Sequence, residues 1–105
     1  ASCGSPPPGQ PADAVRRFFD GVEAGDCEVA FGALSRAQRA KFEQRDTCAG
    51  SIEELRRLSL DAVVDTRVDG RDDRAHLVRV RLRGRATDSL IRVEAEDGAW
   101  RIFSL

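Results

Sequence analysis

The residues that could carry acid–base chemistry are few. His76 is the only histidine in the chain, and Asp20 and Asp69 are the acids that we consider as its partners. A histidine and an acid work as a pair only within hydrogen-bond reach; the alternative is a histidine at the rim of a sheet that meets solvent. The chain has no tyrosine, glycine-rich phosphate loop, nucleophile elbow or HExxH motif. We therefore predict no catalytic motif and no cofactor.

Three cysteines are the other reactive side chains. Cys27 and Cys48 lie 21 residues apart, which matches no zinc motif, and a single histidine leaves no metal site to predict. A Cys27–Cys48 disulfide would close a loop of about 20 residues and contribute about 3 kcal/mol. The alternative is a pair of buried thiols in a cytosolic protein. Of the two we predict the disulfide, which would persist in an oxidising compartment outside the cytosol.

Residues 1–10 form an arm rich in proline and glycine, and we predict a flexible tether ahead of one domain at residues 11–105. Ala1-Ser2-Cys3 resembles the end of a bacterial lipoprotein signal peptide, in which small residues precede a cysteine that becomes acylated. The resemblance implies that Cys3 is lipidated and the protein exported, either anchored in the bacterial cell envelope or secreted. The alternative is an unmodified thiol on a terminal arm.

The second half of the chain, from residue 60 onward, predicts four antiparallel strands in a meander. Polar and apolar residues alternate there with a period of two, which is typical of half-buried strands. Asp97-Gly98 predicts a two-residue hairpin turn, because both positions tolerate positive φ. The expected inner-face residues are Leu60, Ala62, Val64, Thr66, Val68, His76, Val78, Val80, Leu82, Gly84, Ile91, Val93, Ala95, Trp100 and Ile102.

The outer face of this predicted sheet is charged. We expect Thr66 to pair with Val78, Val80 with Val93, and Ala95 with Trp100. These registers place opposite charges across neighbouring strands, at Asp61–Arg83, Asp65–Arg79, Arg79–Glu94 and Glu94–Arg101. Local acids offset the arginines and the net charge is −1, so we predict no nucleic-acid partner.

The residue pattern in the first half of the chain predicts short helices. Residues 12–24 carry an apolar stripe that ends at Gly25, and Asp26 can cap a second helix. Ser35 and Ser51 each begin a capping-box pattern, which predicts helices at about residues 36–45 and 52–59. The fold class is therefore α+β, with short N-terminal helices packed on a curved four-stranded antiparallel sheet.

Two sequence segments are the basis of a resemblance to a known superfamily. Residues 18–26, FFDGVEAGD, end the first helix, and residues 97–102, DGAWRI, form the last hairpin. The chain resembles the nuclear-transport-factor-2-like (cystatin-like) superfamily, and in particular small secreted bacterial lipoproteins of unknown function. The resemblance implies a sheet bent into a cone around the first helix. The residues that would fill the cone or line a pocket in it are Phe18, Phe19, Phe31, Val80, Trp100 and Ile102.

Three functional hypotheses follow from these observations. The first is a non-enzymatic, exported, lipid-anchored domain that binds a small apolar ligand or a protein partner, and meets the membrane only through Cys3. The second is an isomerase- or hydrolase-type enzyme that uses His76 and an acid in the cone. The third is a homodimer formed through the outer sheet face, where the apolar residues are Val63, Leu77, Leu90, Phe103 and Leu105.

Overall fold

The computed structural model describes residues 7–45, 48–69 and 74–104. Within them the chain is α+β, as predicted. Four helices precede four strands: α1 (Pro11–Ala24), α2 (Cys27–Gly32), α3 (Arg36–Arg45), α4 (Cys48–Leu55), β1 (Leu60–Val68), β2 (Ala75–Leu82), β3 (Ser89–Glu96) and β4 (Ala99–Ile102). The strands form one antiparallel sheet in the order β1-β2-β3-β4, which confirms the meander. The sheet does not close into a barrel.

Helix α1 forms where the sequence predicts it. Pro11 begins the helix, and Asp13 Oδ2 accepts a hydrogen bond from the Gln10 N–H at 2.9 Å, so one exposed amide of the first turn is satisfied. Gly25 ends the helix with φ at 73°, a conformation that favours glycine. The apolar face of α1 packs against the sheet, and we call the side of the sheet that it covers the inner face.

Packing against the domain starts earlier than the predicted boundary at residue 11. Pro7 is buried, and the Gly9 carbonyl accepts a hydrogen bond from Trp100 Nε1 at 3.3 Å. A buried indole N–H needs such an acceptor, so residues 7–10 belong with the domain rather than with a tether. Residues 1–6, with Cys3, lie outside the described part of the chain.

The two predicted capping boxes have different outcomes. Ser35 Oγ accepts from the Gln38 N–H at 3.2 Å, but the Gln38 side chain donates to the Phe103 carbonyl. The Ser35 N–H donates to the Ile102 carbonyl at 2.9 Å. Only half of the box at Ser35 therefore forms, because the strand beside it satisfies the remaining groups.

The helix start predicted at Ser51 is wrong. Helix α4 begins at Cys48 and ends at Leu55, so the helix predicted for residues 52–59 lies about one turn earlier. The Leu58 N–H bonds to the Leu55 carbonyl at 2.9 Å, which is the tighter pattern that often closes a helix. The chain after α4 can therefore turn into β1 at Leu60.

The predicted register holds in the last hairpin and fails in the middle one. Ala95 pairs with Trp100 as predicted, and Asp97 and Gly98 both have positive φ. Val80, however, lies opposite Ser89 and not opposite Val93. The turn after β2 is centred near Gly84, whose φ is 79°, and so β2 ends at Leu82. The shift is four residues, an even number, so every side chain keeps its predicted face.

Strand β1 departs furthest from the predicted pattern. Its pairing with β2 is irregular after Leu60 and again after Val63, and each bulge inserts an extra residue that changes the alternation. Val63, predicted on the outer face, packs against the core, whereas Val64 is 42% exposed. Ala62 lies opposite Arg81, so the predicted Asp61–Arg83 pair is wrong. Farther along, Thr66 pairs with Val78 as predicted.

The core lies between α1 and the inner face of the sheet. Helix α2 and residues 33–35 close one side of it, where Leu34 bridges β4 in parallel at Ile102. The Phe31 ring stacks on Phe42 of α3 with centroids 5.6 Å apart. The large buried side chains are Val15, Phe18, Phe19, Val22, Phe31, Leu34, Ile52, Leu55, Val78, Val80, Leu82, Ile91, Val93, Trp100 and Ile102.

Candidate functional site

The structure does not bring His76 together with either predicted acid. The half-buried His76 ring meets the Trp100 ring edge-to-face, with centroids 5.1 Å apart, on the inner face. Asp69 forms an ion pair with Arg92, whose neighbours in β3 point inward, so this pair lies on the outer face. Asp20 is exposed on α1. Neither acid is placed to act with His76 as the enzyme hypothesis requires.

The predicted pocket residues are largely core. Phe18, Phe31, Val80, Trp100 and Ile102 are all buried in the cluster between α1 and the sheet. The space between α1 and the sheet is therefore packed at its centre. The sixth residue, Phe19, is also buried, but its side chain reaches the end of the sheet near the β2–β3 turn and lines two cavities there.

The larger of these cavities has a volume of about 200 Å³ and opens at the end of the sheet. Phe19 and Leu58 form one side of it, and the ends of β2 and β3 form the other. Leu90, 48% exposed, stands at the start of β3. The full lining is Phe19, Leu58, Leu82, Arg85, Ser89, Leu90 and Ile91. Apolar side chains thus face a space here instead of packing against one another.

A smaller cavity of about 80 Å³ lies beside Phe19 and Leu58 and shares both residues with the larger one. Its lining adds Asp20, Glu23, Arg56, Ser59 and Leu60. We call the two cavities together the Phe19 cleft. Of the described lining residues, one is charged in the larger cavity, Arg85, whereas the smaller cavity has two acids and an arginine.

Arg56 holds one wall of the Phe19 cleft in place. Its Nε donates to the Val22 carbonyl at 3.3 Å, near the end of α1. Its Nη1 donates to Glu53 Oε1 at 2.7 Å. The guanidinium therefore joins the segment after α4 to α1.

A third cavity, also about 200 Å³, contains several arginines near the start of α3. Arg36 pairs with Asp97 at 3.3 Å, and its N–H donates to Glu96 Oε1 at 3.1 Å. Arg101 donates to the Gly32 carbonyl. These groups already bind one another, which makes the cavity a structural junction between α3 and the last hairpin.

The outer sheet face carries ion pairs, with partners that partly differ from the prediction. Arg79 lies opposite Asp65 and pairs with it at 3.8 Å, as predicted. The predicted Arg79–Glu94 pair is wrong, because the β2–β3 register places Arg79 opposite Leu90. The exposed members of such pairs contribute little stability, but they offset the positive charge of the arginines.

Arg92 is the centre of a charge cluster on this face. It donates to Glu94 Oε2 at 2.7 Å and to Asp69 Oδ2. The hydrogen bond with Glu94, together with the charges of Glu94 and Asp69, raises the pKa of the Arg92 guanidinium. Arg92 thus stays positively charged between two acids, which supports the view that the outer arginines neutralise local carboxylates.

The apolar residues predicted for a homodimer through the outer face do not form a patch. Val63 packs against the core, and Leu77 and Phe103 are half-buried. Leu90 is exposed at the rim of the Phe19 cleft, and Leu105 lies outside the described residues. Ion pairs occupy much of the face between them, so the homodimer hypothesis gains no support from this surface.

Cys27 is disulfide-bonded. Cys3 and the side chain of Cys48 lie outside the described part of the chain, so the Cys27–Cys48 pairing stays a prediction. Cys27 is the first residue of α2 and Cys48 the first residue of α4, and these two helices contact each other.

Two features are missing from the described residues. No group of three or more histidine, cysteine, aspartate or glutamate side chains could hold a metal ion there. Over the same residues, no helix has the length and apolar character that a membrane span needs.

Comparison of the chain with protein-family models, curated proteins and solved structures finds no match. The resemblance to the nuclear-transport-factor-2-like superfamily therefore stays a prediction.

Sequence reasoning missed the residues that, with Phe19, form the larger cavity. Leu82 and Ile91 are predicted only as inner-face positions, and Leu58 and Arg85 are not predicted as site residues. The signal that was available is Gly84, since a glycine that turns the chain at this point ends β2 early and leaves the end of the sheet uncovered.

Proposed function

We propose that this chain is a non-enzymatic, exported, lipid-anchored domain that binds a small apolar ligand in the Phe19 cleft. The observation that carries the proposal is the larger cavity, where Phe19, Leu58, Leu82 and Ile91 line a space of about 200 Å³. Small-molecule sites are typically concave and mostly apolar, with a few polar groups at fixed positions. Arg85 and Ser89 are the polar residues of this cavity.

Two observations support the export and the anchor. Ala1-Ser2-Cys3 resembles a lipoprotein processing site, and Cys27 is disulfide-bonded. Disulfides persist mainly in oxidising compartments outside the cytosol. We also propose membership in the nuclear-transport-factor-2-like superfamily, which the packing of α1 on the inner face of a four-stranded meander supports.

Filling the larger cavity should abolish ligand binding there. We expect Ser89→Phe to place a ring in the space beside Leu58 and Ile91, because Ser89 lines the cavity and is only half-buried. The measurement is an NMR titration of amide shifts with hexan-1-ol, an uncharged probe. Shifts should cluster around the cavity in the unmodified protein and disappear in Ser89→Phe.

The matched control is Thr87→Phe. Thr87 is exposed in the same β2–β3 turn and does not line the cavity, so this variant should bind hexan-1-ol as the unmodified protein does. Shifts that are absent at every probe concentration, or that persist unchanged in Ser89→Phe, would contradict the proposed site.

The proposed lipid anchor and the predicted disulfide together define the chemical state that we expect for all three cysteines. In protein isolated from the membrane fraction of its source cells, we expect the Cys3 peptide to carry acyl groups. A digest without reductant should contain one peptide pair that joins Cys27 to Cys48, and dithiothreitol should separate it. Peptide mass spectrometry measures both. An unmodified Cys3 in that fraction would refute the anchor, and a Cys27–Cys3 link would refute the predicted pairing.

A further inference from the structure

Among the described residues that line the larger cavity of the Phe19 cleft, Arg85 is the only charged one. It is exposed, and it forms no ion pair within the described part of the chain. The nearest acid along the turn, Asp88, pairs with Arg81 at 3.4 Å. By contrast, Arg36 in the cavity near α3 is bound to acids of the protein itself. Arg85 is thus an exposed arginine at the edge of a mostly apolar space.

The backbone around Arg85 is held in place although its side chain is exposed. The Arg85 N–H donates to the Leu82 carbonyl at 3.2 Å, and Gly84 turns the chain with φ at 79°. Arg83, two residues earlier, bonds through its N–H to the Ser59 carbonyl at 2.9 Å. These bonds tie the turn to both neighbouring segments, so the Arg85 side chain starts from a defined point at the cavity edge.

We propose that the larger cavity takes the hydrocarbon end of a small carboxylic acid and that the Arg85 guanidinium binds its carboxylate. This inference rests on the proposed function and names the class of its ligand. A guanidinium presents paired N–H donors that match the two oxygens of a carboxylate. The apolar lining from Phe19, Leu58 and Ile91 then removes the hydrocarbon part from water.

The cavity volume limits the length of the acid. At about 200 Å³ the cavity is smaller than the roughly 300–1,000 Å³ of typical ligand pockets. We therefore choose a short-chain acid as the probe rather than a long-chain fatty acid. The smaller cavity does not extend the anion site, because Asp20 and Glu23 line it and repel a second negative charge.

The test compares two probes of equal chain length, hexanoate and hexan-1-ol, by NMR titration at pH 7 and low salt. Hexanoate is ionised at this pH. In Arg85→Gln we expect the dissociation constant of hexanoate to rise about fivefold to tenfold, because a hydrogen-bonded charge is lost at an exposed site. The dissociation constant of hexan-1-ol should stay unchanged in this variant. Added salt should weaken hexanoate binding alone.

Arg83→Gln is the matched control. Arg83 is exposed, carries the same charge and lies outside the cavity lining, so its removal should leave the affinity for both probes within about twofold. If Arg83→Gln weakens hexanoate as much as Arg85→Gln does, or if neither does, the carboxylate inference is overturned, while binding of hexan-1-ol still upholds the proposed function. If neither probe binds the unmodified protein, the carboxylate inference and the proposed function are both refuted.

Discussion

Replacing Phe18 by alanine should lower the free energy of unfolding by about 4 kcal/mol. Phe18 is 1% exposed, the largest of the fully buried side chains, and it packs edge-to-face on Phe19 with ring centroids 5.2 Å apart. Truncation removes the buried ring and leaves a cavity that the surrounding strands fill only in part. A domain of this size has about 5–15 kcal/mol in total, so the loss takes a large share of its stability.

Urea unfolding followed by circular dichroism measures this effect. Arg17→Ala, at the exposed position next to Phe18 on α1, is the control and should change stability by less than about 0.5 kcal/mol. Phe18→Leu keeps much of the side-chain volume, so it should lower the free energy of unfolding by less than half as much as Phe18→Ala does. This variant allows the measurement even if Phe18→Ala does not fold. Equal stability of Phe18→Ala and Arg17→Ala would contradict a core centred on α1.

The elements that sequence predicts well are those whose signals are local. Pro11 and Gly25 bound α1 because each residue has its own backbone preference. Asp97 and Gly98 form the last hairpin because both tolerate positive φ. Asp26 caps α2 because its side chain reaches the Val29 N–H at 3.2 Å. None of these features depends on a distant part of the chain.

The features that sequence misses depend on distant partners. The bulges of β1 arise in pairing with β2, and they exchange the faces expected for Val63 and Val64. The Gln38 side chain leaves its capping box for the Phe103 carbonyl, 65 residues away. Sequence spacing alone contains neither piece of information, because both follow from how the sheet lies on the helices.

The Phe19 cleft belongs to this second group. Its walls come from α1, from the segment after α4 and from the β2–β3 turn, so three separate elements must be placed before the cavity exists. The sequence did indicate Phe19 as a pocket residue. It did not indicate Leu58 or Arg85, because their roles depend on where β2 ends and on the contact of Arg56 with the Val22 carbonyl.

Replacing Gly21 by alanine should destabilise the protein by about 3 kcal/mol. A Cβ atom at Gly21 would lie 2.5 Å from the Ala30 nitrogen and 2.9 Å from the Ala30 Cα. These are backbone atoms of α2 and cannot rotate away, so α1 and α2 must separate. The intrinsic helix propensity of alanine is more favourable than that of glycine by about 1 kcal/mol. The expected loss of stability is the net effect after this gain is subtracted from the cost of the clash.

Gly32→Ala provides a matched control with the opposite sign. A Cβ at Gly32 would meet nothing within 4 Å, and this residue also lies in a helix, at the end of α2. The same substitution there should raise stability by about 0.5 kcal/mol, because alanine restricts the unfolded chain more than glycine does. Urea unfolding of both variants measures the contrast. If Gly21→Ala were as stable as Gly32→Ala, the close approach of α1 to α2 would be wrong, and with it the placement of α2 against the core.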